Sequence, residues 1–249
     1  VDQELGRLVA AIESHFGGTP LRILVAGDHG QGLGDHGEDL HGNLLYQSVM
    51  RVPLIVTGTE ISAGRIDTPV STSRIFDTIL SWGGAAPMDA GLFKDVSETV
   101  LAEANKPYLQ YGWQPQVMAV EGSIKIIRSG DLEVYVLLSD PAESNNLRGQ
   151  VDIDPGVLEV LRTHWEKALA GPEDSGAVLG QEAKERLASL GYVGSEGRPI
   201  LRDGAPNPKD MVDLFHDLEV GSVLFMRNEY EKALPIYERV LQADPENPA

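Results

Sequence analysis

The chain has 249 residues, 38 acidic and 20 basic side chains, six histidines and no cysteine. A formal charge of −18 argues against broad charge complementarity with nucleic acid or an anionic membrane, and it suits a protein that holds divalent cations. The missing cysteine excludes disulfides, thiolate zinc sites and a cysteine nucleophile within these residues.

Val1, Leu5, Leu8, Val9, Ile12 and Phe16 keep helical spacing up to Gly17-Gly18 and predict an amphipathic helix. Because the sequence opens inside that helix without an initiating methionine, a truncated start is expected. Leu21 to Ala26 reads as a short buried strand, and Val52 to Val56 as a second, with Pro53 at its start or on a sheet edge. Ser71 is placed to cap a helix whose Ile75, Phe76, Ile79 and Leu80 form one face and which Gly83-Gly84 stops. Strand-like runs follow at 116–120, 124–127 and 132–138, with Glu121-Gly122 as a hairpin turn. Helical spacing returns from Pro155 to Ala170 through Val157, Leu158, Leu161, Trp165 and Leu169, and again from Gln181 to Leu190. Pro199, Pro206 and Pro208, with Gly194, Gly197 and Gly204, mark 193–209 as a linker. Helices and strands alternate before it, which argues an α/β sheet for residues 1–192; from 210 to 249 the pattern is helical only. No apolar run approaches the roughly 18 residues of a membrane-spanning helix.

Three of the six histidines fall between positions 29 and 41, interleaved with Asp28, Asp35, Glu38, Asp39 and glycines. The stretch follows a predicted strand, so Asp28 and His29 stand at its carboxyl end, where open α/β sheets bind ligands. A carboxylate oxygen beside an imidazole nitrogen suits manganese, zinc or calcium. The glycines allow sharp turns and close backbone approach to a ligand. The acidic spacing is not that of an EF-hand, and the glycines break any metalloprotease-type helix. On composition alone, a ligand-free acidic loop competes with a metal site.

The run from Asp28-His29-Gly30 to His36-Gly37, with His41-Gly42, Leu45-Tyr46 and Arg51-Val52-Pro53-Leu54-Ile55, resembles the carboxyl-terminal metal segment of the sulfatase family, within the alkaline phosphatase superfamily. Asp77-Thr78-Ile79-Leu80 resembles the helix after that family's central strands. Tyr111-Gly112-Trp113 and Lys125-Ile126-Ile127 resemble its later strand region, and Asp140 to Leu147 its closing turn. Glu133 to Leu137 departs from the family's usual strand before that turn. The resemblance spans roughly residues 1 to 195. It implies the carboxyl-terminal part of an alkaline-phosphatase-like sheet-and-helix domain, acting on sulfate esters. Asp28 and His29 would be two ligands of the catalytic divalent cation, Ca²⁺ first and Mn²⁺ or Zn²⁺ as alternatives. His41 would contact the sulfate or the leaving oxygen, where a charged imidazole stabilises negative charge and donates a proton. His36 is expected to be structural, and Arg51 to form a buried ion pair. The resemblance also favours an exported or periplasmic protein.

The family's formylglycine nucleophile arises in a Cys/Ser-x-Pro-x-Arg motif, and no serine here begins one; Ser71-Thr72-Ser73-Arg74 lacks the proline and spacing. The nucleophile and the paired aspartates that complete the metal shell are expected upstream, so these residues alone should not turn over substrate. The Asp-His pair also occurs in relatives that hydrolyse phosphodiesters or phosphonate monoesters, which gives the alternative activity.

From Leu214 onward, Gly221, Leu224, Tyr230, Ala233, Tyr237 and Pro245 fall in the order of a tetratricopeptide repeat, with Val240 replacing its usual alanine. This resemblance implies an all-α helix pair at 210–249 that contributes to a protein-binding surface, its partner unspecified. It also keeps open a third reading, a non-catalytic repeat scaffold carrying a decayed hydrolase domain.

Overall fold

The computed structural model describes residues 2–17, 19–85, 91–94, 97–170 and 201–248. Helix α1 (Asp2–His15) leads into strand β1 (Arg22–Ala26), a short helix α2 (Gln47–Met50), strand β2 (Leu54–Gly58) and helix α3 (Arg74–Trp82). Strand β3 (Val100–Ala104), helix α4 (Lys106–Tyr111), strands β4 (Gln116–Glu121), β5 (Ile124–Arg128) and β6 (Leu132–Val136), and helix α5 (Pro155–Ala170) follow. A 3-10 segment at Pro208–Leu214 then precedes helices α6 (Phe215–Met226) and α7 (Tyr230–Ala243). The α/β composition is as expected, but the strands form two separate antiparallel sheets: a β1-β2 ribbon and a β3-β4-β5-β6 meander.

The meander is the centre of the molecule because both of its faces are covered. Period-2 alternation sends Val117, Ala119, Ile126 and Val134 to one face, where Val157, Leu161 and Trp165 of α5 cover them. Met118, Val120, Ile127 and Tyr135 point the other way, onto Leu44, Leu45, Tyr46 and Trp113 and onto Phe215, Leu218 and Val240 of the two final helices. A two-residue turn, Gly122-Ser123, joins β4 to β5, since Glu121 pairs with Ile124; Gly122 takes φ +57 there.

Several expectations are corrected. β1 is half-buried to exposed rather than buried, and no residue of α1 is buried, because the ribbon and that helix have no covering layer among the described residues. Helix α3 turns its apolar face outward: Phe76 is 67% exposed while Thr78 and Ser81 are buried. The cause is the 3-10 turn at Gly91–Phe93, where the Leu92 amide donates to Thr78 Oγ1 at 2.9 Å. Pro53 falls immediately before β2, as its chemistry requires, and Gly83 ends α3. Tyr111 closes a helix rather than lying in a strand, with Gly112 as its left-handed cap at φ +66.

The helix expected at 181–190 and the first part of the 193–209 segment lie outside the described residues. Residues 201–209 are packed rather than free. Gln114 donates through its backbone to Pro206 O at 3.0 Å and through Nε2 to Ala205 O at 3.2 Å, and Asn207 Nδ2 reaches Asp131 at 3.0 Å. The prolines and glycines there mark irregular backbone, not missing contacts. Asp217 in the first turn of α6 pairs with Arg239 near the end of α7 at 2.7 Å, so the two helices run antiparallel. Gly221 lets them close up: a Cβ there would lie 3.1 Å from the Tyr237 ring.

Candidate metal centre and its supporting loop

Strand β1 ends at Ala26, and the backbone then turns so that Asp28 and His29 stand side by side at the surface. The His29 amide donates to Asp28 Oδ1 at 3.0 Å, and that hydrogen bond, helped by the neighbouring imidazole, holds the Asp28 carboxyl below its ordinary pKa. His29 Nδ1 lies 2.7 Å from Gly30 O, a carbonyl that can only accept, so Nδ1 is the donating nitrogen and Nε2 is the one left to face Asp28. Nε2 is 3.9 Å from Asp28 Oδ2. Two ligands that distance apart can share one cation, since metal–ligand bonds of roughly 2.0–2.6 Å reach it from both sides.

His41 joins them by stacking on His29, with ring centroids 3.7 Å apart and planes 24° from parallel. Its Nδ1 is 3.1 Å from Gln31 Oε1. Burial, then the nearby His29 and Lys106, lowers the His41 pKa, which favours the neutral ring over the charged donor expected from sequence. Asp28, His29 and His41 are thus brought together. Among the described residues, no group of three or more His, Asp and Glu side chains is arranged as a complete cation cage. Asp28 and His29 thus offer one carboxylate and one imidazole, donor types that fit part of a divalent-cation shell.

The rest of the acidic stretch does something else. Glu38 turns inward and accepts from the Asn43 amide at 2.9 Å, Asn43 Nδ2 at 3.0 Å and the Leu44 amide at 3.1 Å. Burial pushes its pKa up despite those donors. Gly30 and Gly32 are needed for approach to the chain itself rather than to a ligand: a Cβ would fall 2.1 Å from Ser48 O and 2.0 Å from Glu38 O, respectively. These contacts let the Gly32 amide donate to Leu40 O at 2.7 Å and the Gly30 amide to Val49 O at 2.6 Å, folding the loop onto itself and onto α2.

His36 is half-buried, stacked on Tyr46 at 3.5 Å, with Nε2 3.2 Å from Glu143 O. Tyr46 donates to buried Glu133 at 2.8 Å, as does Tyr135 at 2.7 Å. Arg51, expected in a buried ion pair, is exposed and makes none with the described residues. Sequence reasoning missed Lys106, whose ammonium pairs with Glu219 of α6 at 3.2 Å beside the Gly42 turn. An open groove of about 590 Å³ runs there between Gly37–Asn43 and α6, lined by Leu40, Val220 and Leu224 among others.

Residues 1–85 match the model of the sulfatase family. That segment contains Asp28, His29 and His41. Two curated sulfatase-family proteins are similar over more of the chain. The uncharacterized sulfatase YidJ of Escherichia coli is 24% identical over 186 residues, covering 67% of this chain and 36% of that protein. A sulfatase of Formosa agariphila is 27% identical over 178 residues, covering 67% and 35%. The chain therefore spans about a third of the length of the curated relatives it matches. A sulfatase-family yidJ protein of Bacteroides fragilis shares the fold at TM-score 0.53 and 18% identity, over 68% of this chain and 40% of that one. So does BT4656, solved in complex with its substrate D-glucosamine-2-N,6-O-disulfate, at TM-score 0.50 and 17% identity over 71% and 40%. No helix among the described residues is long and apolar enough to cross a membrane.

Proposed function

We propose that this chain is the carboxyl-terminal part of a metal-dependent sulfatase joined to a tetratricopeptide helix pair. The observation that carries this reading is the Asp28–His29–His41 constellation within the sulfatase-matching segment, with His29 Nε2 free of the Gly30 hydrogen bond and turned toward Asp28. Asp28 and His29 would hold a divalent cation: Ca²⁺ by family likeness, with Mn²⁺ or Zn²⁺ favoured by the imidazole ligand. Such a cation supplies Lewis-acid polarisation of the sulfate oxygens. His41 would protonate the leaving alkoxide from Nε2; a lowered pKa makes its charged form the stronger acid, at the expense of the fraction charged near neutral pH. The nucleophile, a formylglycine, would be supplied from outside these residues. The α6–α7 pair would offer a surface to a protein partner; the close Gly221–Tyr237 approach supports the tetratricopeptide-like helix pairing on which that rests.

The test is to load the complete protein with Ca²⁺, Mn²⁺ or Zn²⁺ and assay aryl and carbohydrate sulfate esters beside phosphodiesters and phosphonate monoesters. Asp28→Asn and His29→Ala should each abolish cation-dependent sulfate release. Preference for a phosphorus ester would move the assignment to that substrate class. Failure of any cation to bind at Asp28 and His29 would leave a non-catalytic scaffold.

A further inference from the structure

The Asp140–Leu147 turn carries an ionic contact that the proposed chemistry does not use. Lys125 Nζ and Glu143 Oε1 are 2.6 Å apart, with side chains 0% and 1% exposed, and burial pulls the Lys125 pKa down against the attraction of Glu143. Burying both charges carries a desolvation penalty for each ion, and a well-packed apolar pair would often fold as stably. Glu143 also takes a left-handed φ of +52, unfavourable for a residue with a Cβ. Both unfavourable features fall on a residue that grips the glycine-histidine loop at His36 and the helix α2 beneath it at Gln47. Its Oε2 accepts from the Gln47 amide at 2.5 Å, and its backbone carbonyl lies 3.2 Å from His36 Nε2. Gln47 opens α2, and α2 in turn receives the Gly30 amide at Val49 O and the Gln31 amide at Ser48 O, at 2.6 and 3.0 Å. Those two residues follow His29 directly.

We propose that Glu143, held by Lys125, is a positioning residue for the metal centre, fixing through Gln47 and His36 where the His29–His41 stack stands relative to Asp28. The inference deepens the cation-site reading and rests on it for the ligand roles of Asp28 and His29. The ion pair keeps the Glu143 carboxylate in one rotamer, so its second oxygen presents a fixed acceptor to the loop.

Two double variants of the complete chain separate positioning from simple stability. Lys125→Met with Glu143→Gln and Lys125→Met with Glu143→Leu both remove both charges, so neither strands a buried ion. Only the first keeps an oxygen for the Gln47 amide. Both should unfold at similar midpoints. The Gln variant should retain wild-type histidine ring NMR shifts for His29 and His41 and wild-type Mn²⁺ affinity. The Leu variant should displace those shifts and bind Mn²⁺ about 10-fold more weakly or worse. Wild-type ring shifts and affinity in the Leu variant would overturn the proposal. If that variant does not fold, hydrogen exchange of the unsubstituted chain decides: a Gln47 amide as slow as the β4 amides supports the anchor, and a fast one overturns it. Displaced ring shifts in a protein whose unsubstituted form binds no Mn²⁺ would uphold the positioning role and refute the cation reading instead.

Discussion

Trp113 Nε1 donates to Asp244 Oδ2 at 2.7 Å across 131 residues of sequence. The same carboxylate takes the Arg202 guanidinium at 2.5 and 2.6 Å and Asn247 Nδ2 at 3.1 Å. One buried aspartate thus ties the end of α7 both to the segment before β4 and to the stretch preceding the 3-10 segment. Replacing it with alanine leaves a buried indole N–H unpaired and, among the described residues, the Arg202 guanidinium held only by Glu246 and the Gly112 carbonyl. Asp244→Ala should therefore lower stability by about 1–3 kcal/mol, read from denaturant unfolding followed by tryptophan fluorescence.

The same group gives a pH dependence with a definite sign. Burial alone would raise the Asp244 pKa, but hydrogen bonds from Arg202, Trp113 and Asn247 outweigh it and hold the pKa below its ordinary value. A carboxyl whose folded pKa is depressed contributes stability above its unfolded value of about 3.9, and that contribution is lost as pH falls through the folded value. Below roughly pH 4, tryptophan emission of the wild type should shift as this contact opens. Asp244→Asn should lack that part of the transition; an unchanged acid limb would refute the assignment.

Leu218 of α6 is fully buried in the cluster that holds Trp113, Met118 and Tyr135. Its truncation therefore tests whether the helix pair folds with the meander. Leu218→Ala should cost about 2–5 kcal/mol in one cooperative transition shared by helix and sheet probes. A separate, earlier transition of the helices alone would show an independent unit.

Gly32→Ala places a methyl where Glu38 O stands, 2.0 Å away, so backbone must move. Destabilisation of about 1–3 kcal/mol is expected, together with loss of the His29–His41 stack in histidine ring spectra. Gly64→Ala, where a Cβ meets nothing within 4 Å, is the control and should leave those spectra unchanged.

The legible parts of the sequence were those whose periodicity matched their final burial. The α5 spacing named Val157, Leu158, Leu161, Trp165 and Leu169, of which Val157, Leu161 and Trp165 are buried, Leu169 half-buried and Leu158 exposed. Strands β4 to β6 followed from β-branched runs and the Gly122 turn. Strand β3 escaped because Ala102, Glu103 and Ala104 dilute its β-branched character, and α4 because it is only six residues long. Helix α3 misled because local amphipathicity cannot say which side a distant segment will cover. Within the site, Asp28, His29 and His41 were visible as residue types in a pattern. Their support was not: Lys125 reads only as part of a strand region, and its burial follows from a sheet covered on both faces, which forces it against Glu143.

The meander also orders events in time. Strands β3 to β6 pair in sequence order, with sequence separations much shorter than those of the glycine-histidine loop's partners, and short separations close sooner in a folding chain. The glycine-histidine loop precedes them in synthesis, yet the partners that shape it, Glu133 and Glu143, come from β6 and the turn beyond. On a ribosome, the residues that would bind the cation emerge before these partners and acquire their geometry only after about a hundred later residues have followed, as the spacings of 87 and 96 residues in those two contacts require.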